Sequence, residues 1–233
     1  MFNNTIKKAF TMAEVLITLI IIGTIAAVTI PGLKKHASLE ENVASLKKAY
    51  STLSSATKIV ETRHGDMKRW GNLTSNQEET NTEEEKETPQ GLNSALNYYA
   101  KAMNSTLTCK SNEEGCWTQT KDLQGSTYGG AKNISQNGVG LKTADGMNWS
   151  FSGTDNPAAY GVQDSVTNSI LVWVDTNGEK KPNMLGMDVF AFIIHPDDGV
   201  VPAGAANQSA NCTETTKGTD CTAKVIRTSK IDY

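Results

Sequence analysis

Three histidines in 233 residues leave little material for metal or general-base chemistry. His36 stands in a basic cluster, while His64 and His195 close apolar patterns, and no G-x-S-x-G, H-E-x-x-H or phosphate-loop motif occurs. The glycine-rich run Gly138-Val139-Gly140-Leu141-Lys142-Thr143 lacks the spacing of a nucleotide loop. These absences argue against an enzyme. A surplus of positive charge is missing too. Twenty-two basic against 25 acidic residues give a net −3, which excludes a generally basic nucleic-acid binder. A 38% apolar and 20% charged composition excludes wholesale disorder, and the length suits one domain with an appendage.

Charge is absent altogether from Val15 to Leu33. These 19 residues would form a helix of roughly 28 Å, against a hydrocarbon core of about 30 Å. Lys7 and Lys8 precede the run, and Lys34, Lys35 and His36 follow it. Composition alone reads this as a secretory signal peptide with small residues at Ala26-Ala27, or as a plain anchor helix. Two residues fit neither. Glu14, at the start of the run, costs about 2.5–3.5 kcal/mol if carried to the bilayer centre, so it needs a partner. Pro31 removes a backbone donor where the helix would continue.

The segment K-K-A-F-T-M-A-E-V-L-I-T-L-I-I-I-G-T-I-A-A-V-T-I-P resembles the N-terminus of type IV prepilins and of type II secretion pseudopilins. The resemblance implies cutting by a prepilin peptidase between Ala9 and Phe10, on the cytoplasmic side, and N-methylation of Phe10. Glu14 and Pro31 then fall where the family has them, while Ala9 replaces its usual Gly. It further implies a homo-polymer, or one with related pilin subunits, joined through the retained helix on an inner-membrane assembly platform. The Phe10 amine and Glu14 of a neighbouring subunit would neutralise each other there and set register. The chain would be single-pass in the cytoplasmic membrane, its head extracytoplasmic, and would pass from membrane lipid into a pilus or periplasmic pseudopilus.

Beyond Pro31, Leu39, Val43, Leu46, Tyr50, Leu53, Thr57 and Val60 step by three and four. One helix from near Phe10 to about Thr62 is expected, its stripe packed on the protein's own sheet rather than in a coiled coil. His64-Gly65-Asp66 reads as its stop. Residues 72–90 carry six Glu against one Lys and read as a solvated acidic loop. Leu92, Leu96, Tyr99 and Met103 predict a second short helix. A hairpin about Asp145-Gly146 and two strong strands, S-I-L-V-W-V-D and M-D-V-F-A-F-I-I-H, complete an α+β head with an antiparallel sheet. The expected organisation is a leader at 1–9, a membrane segment at 10–33, a stalk at 34–66 and a head at 67–233.

Cys109, Cys116, Cys212 and Cys221 sit in two close pairs without zinc-site spacing. An exported head permits disulfides, and four cysteines allow three connectivities. Nearest-neighbour pairing would close loops worth roughly 2.5 kcal/mol each. Free thiols are the alternative.

Between the strong strands, Asp175, Asn177, Glu179, Asn183 and Asp188 are hard oxygen donors of the kind calcium prefers. A hydrogen-bonded Asx-rich turn accounts for them equally well. The resemblance adds weight to calcium at Asp175, Asn177 and Asp188, because major pseudopilins bind it in a loop of the head. The rival to a filament subunit is a membrane-anchored binding module that never polymerises, such as a calcium-dependent adhesin.

Overall fold

A computed structural model describes residues 10–74, 89, 91–110, 113–129, 134, 138–163, 168–207, 209 and 212–233, with the side chains of 34–36 left aside. Ala9 and most of the acidic segment lie outside these residues. The chain divides into two units, residues 1–39 and 40–233, and helix α1 (Met12–His64) belongs to both. In the first unit α1 carries the apolar run, with Val15, Leu16, Ile17, Leu19, Ile20, Ile21, Ile22, Ile25, Val28, Ile30 and Leu33 exposed. An 18-residue window of it is long and apolar enough to cross a membrane, and none of that window is buried within the protein.

In the second unit α1 buries the predicted stripe. Val43, Leu46, Leu53, Thr57 and Val60 face inward, and Ala49 and Ala56 fill the narrow places between them. Gly65 ends the helix with φ +83°, its N–H donating to the Glu61 carbonyl at 2.9 Å. Helix α2 (Leu92–Ala102) buries Leu92, Leu96 and Tyr99 against the same core.

Among the described residues eight strands follow: β1 (Ser105–Cys109), β2 (Thr120–Lys121), β3 (Thr127–Gly129), β4 (Val139–Thr143), β5 (Asn148–Thr154), β6 (Ser169–Asp175), β7 (Val189–His195) and β8 (Gly199–Pro202). Six form an antiparallel sheet in the order β1-β4-β5-β6-β7-β8, and β2 pairs with β3 alone. The hairpin turn lies at Asp145-Gly146 as expected, with Gly146 at φ +86°.

Every residue of β6 and β7 is buried. On one face Ile170, Val172, Val174, Phe190, Phe192 and Ile194 meet α1 and α2. On the other, Leu171, Trp173, Ala191 and Ile193 meet a layer, made of loops and strand β3, that carries Trp117, Tyr128, Tyr160 and Leu185. The rings of Tyr128 and Tyr160 stand edge-on to Trp173 at 5.6 and 5.9 Å. This second layer is the part of the head that the element pattern alone does not reveal. Both cysteine pairs join neighbours, Cys109 to Cys116 and Cys212 to Cys221. A short helix α3 (Thr222–Thr228) follows the second bridge.

Candidate functional site

Phe10 is 87% exposed, and Thr11 precedes the first helical residue of α1. The Thr11 N–H and hydroxyl both donate to Glu14 Oε2 at 2.9 Å, while the Glu14 N–H donates to Thr11 Oγ1 at 3.2 Å. That reciprocal pair is a capping box, and it gives Glu14 a partner within its own chain. The signal was present as Thr11-x-x-Glu14 but is masked by the apolar run behind it. Further along, the hydroxyls of Thr18, Thr24 and Thr29 donate to the carbonyls of Val15, Ile21 and Ile25 at 2.9–3.0 Å. Each threonine hydroxyl in the run thus stays satisfied without water, as a lipid environment requires. Pro31 lies inside α1, which continues through it.

The Asx-rich loop joins β6 to β7 and brings Asp175, Asn177, Asn183 and Asp188 together. Both carboxylates are buried. Asp188 Oδ2 accepts from the Asn183 N–H at 2.8 Å and from Asn177 Nδ2 at 3.1 Å, and its Oδ1 accepts from the Met184 N–H at 2.6 Å. Asp175 Oδ1 accepts from the Asn177 N–H at 3.2 Å. These bonds are the ones an Asx turn needs. They leave the side-chain oxygens of Asn177 and Asn183 buried without a hydrogen-bond partner. Burial, reinforced by the nearby Asp188 charge, pushes the Asp175 carboxyl up to about 8. Burial also raises Asp188, against the pull of its N–H donors.

A hard cation could be held by the Asp175 carboxylate, the two orphaned amide oxygens and Asp188. Glu179 is not part of this group. It is exposed and paired with Lys142 at 2.7 Å. Among the described residues no cluster of three or more His, Cys, Asp or Glu is placed to bind a metal, so amide oxygens would have to contribute. Lys142, in the glycine-rich run, lies on strand β4. His195 closes β7, and its Nδ1 accepts from the Asp197 and Asp198 N–H groups at 3.2 and 3.3 Å.

The same loop is gripped from two sides. Asn42 Nδ2, on α1, donates to the Met187 carbonyl at 3.1 Å. The Tyr233 hydroxyl donates to the Gly186 carbonyl, and Lys224 lies over the Tyr233 ring at 4.8 Å.

A family model, described as a family of unknown function (DUF6613), matches residues 35–211, well over half of the chain. The chain belongs to DUF6613. The DUF6613 match takes in the sheet, the Asx-rich loop and the buried core except Val225 on α3. It stops short of the apolar run on one side and of Cys212 and α3 on the other. No curated protein and no solved structure matches the chain.

Proposed function

We propose that this chain is the structural subunit of a type IV pilus or of a type II secretion pseudopilus, polymerising through its N-terminal helix. The observation that carries the reading is the exposed apolar run from Val15 to Leu33, headed by an acidic residue and by Lys7 and Lys8. Eleven large apolar side chains that nothing in their own unit covers must be covered by lipid or by like helices. A filament supplies both in turn, since the helix leaves lipid for the helices of its neighbours.

The chemistry follows from where the cut falls. Removing residues 1–9 ahead of the run keeps the helix on the mature protein and creates a cationic amine at Phe10. That amine is costly at membrane depth until the Glu14 carboxylate of a neighbour faces it. Pairing fixes the axial stagger of subunits, because each amine finds an acidic partner at one position only along the helix. The threonine hydroxyls are already satisfied by their own helix, so they set no register.

One observation favours a second reading, the anchored binding module that never polymerises. The Thr11–Glu14 cap gives the acidic residue a use that requires no neighbour. Electron microscopy of cells that co-express the full chain, a prepilin peptidase and an assembly platform separates the two. Filaments built from this chain are expected, and their absence despite correct insertion would leave the anchored module.

A further inference from the structure

The head has one end at which α1, the Asx-rich loop and the segment 222–233 meet. Asn42 on α1 reaches Met187, Lys47 Nζ donates to Ser229 Oγ at 2.5 Å, and Tyr233 reaches Gly186. Four cations carried by the Asx-rich loop and the segment 222–233, Lys180, Lys181, Arg227 and Lys230, are exposed. Among the described residues none of the four has a carboxylate partner within ion-pair distance. Of the anions in these segments, Glu179 is taken by Lys142 and Asp232 by Lys224.

Chain length sets an upper bound on how far this end lies from the apolar run. Asn42 follows Leu33, the last residue of the apolar run, by nine residues. Nine residues reach roughly 32 Å when fully extended and about 13 Å as a helix. Whatever the path of those residues, the Asn42–Met187 contact cannot lie farther than that from the membrane face in which the run is held.

We propose that Lys180, Lys181, Arg227 and Lys230 form a docking surface for anionic phospholipid headgroups, used while the chain is still membrane-inserted. This rests on the membrane reading of the apolar run, though not on polymerisation. Exposed ammonium and guanidinium groups attract an anionic surface within a Debye length of about 8 Å, and the attraction is screened by salt. Docking would hold the head against the bilayer before assembly and release it as the subunit is drawn out. A second copy's acidic segment at 78–87 would be the other anionic partner, but the tether favours lipid, which every inserted copy meets.

The test uses the full chain, one copy per lipid nanodisc, in phosphatidylcholine or phosphatidylglycerol-rich discs, with hydrogen exchange read over residues 178–184 and 222–233. Exchange there should be roughly threefold slower in the anionic discs, with the difference lost at high salt. The combined variant K180E/K181E/R227E/K230E should abolish the difference, and K58E, on an exposed face of α1, should not. Equal exchange in both discs would overturn the docking surface and leave the membrane reading intact. Protection that appears only with two copies per disc, regardless of lipid, would overturn it in favour of a copy-to-copy contact. A chain that fails to enter discs of either kind would overturn the membrane reading, and the docking surface with it.

Discussion

Thr11 and Glu14 cap each other at the start of α1, each accepting a hydrogen bond from the other's backbone N–H. The residue that the proposed filament would use as a counter-charge is thus also the residue that closes the helix end. Glutamine serves as well as glutamate in a capping box, so the two roles can be separated.

Glu14→Gln should keep the helix start and remove the charge. Filament yield is then expected to fall at least about tenfold, because the Phe10 amine of the neighbour is left without a counter-ion, a loss of several kcal/mol when buried. Thr11→Ala loses only the cap, worth about 1 kcal/mol, and should assemble nearly as wild type. Sheared-fraction yields of the two variants decide the matter. The reverse ranking would reduce Glu14 to a helix cap.

The Asx-rich loop predicts an unusual pH dependence. The folded Asp175 carboxyl titrates at about 8, above its unfolded value of roughly 3.9. The folded state therefore binds more protons than the unfolded one across that window, so stability falls as pH rises from about 4 to 8 and levels off beyond. Melting temperatures of the detergent-solubilised chain should show this slope, and Asp175→Asn should reduce it to the part that Asp188, also raised by burial, contributes. Millimolar calcium should raise the melting temperature more at pH 8 than at pH 5, because the cation replaces the missing proton, with magnesium less effective. A calcium-independent curve would leave the loop as a hydrogen-bonded turn and nothing more.

Each disulfide closes a short loop worth about 2.5 kcal/mol on the chain-entropy model. Opening Cys212–Cys221 with the pair Cys212→Ser and Cys221→Ser should lower the melting temperature by roughly 5–10 °C. It should also speed exchange across 222–233, since Cys221 directly precedes α3. A change in melting temperature without faster exchange there would show that Tyr233 and Lys47 hold the segment unaided.

Much of this fold is legible in residue spacing. The three- and four-residue steps from Val43 to Val60 became the buried stripe of α1, and Asp145-Gly146 became the β4–β5 turn. Strand β1 was harder to see. Its Ser-Thr-Leu-Thr-Cys lies at a sheet edge, mostly exposed, so burial imposes no alternation on it. The loop layer over Trp173 left no periodic trace either, because it is built from single anchors such as Trp117 and Tyr160. The continuous apolar runs of β6 and β7 were the available clue, since a strand buried on both faces does not alternate. At the candidate sites, residue types pointed to Asp175, Asn177 and Asp188. Only geometry shows that Glu179 turns away to Lys142 and that the Asn183 oxygen is left over.

The central claim is that the apolar helix stays on the mature protein and builds a filament, and the most direct measurement is the mass and sequence of the mature N-terminus. Co-expression with a prepilin peptidase should yield a chain that lacks residues 1–9 and begins with N-methylated Phe10, its apolar run intact. A chain beginning just after Ala27 would mean that ordinary signal peptidase had removed the run, and would contradict the account.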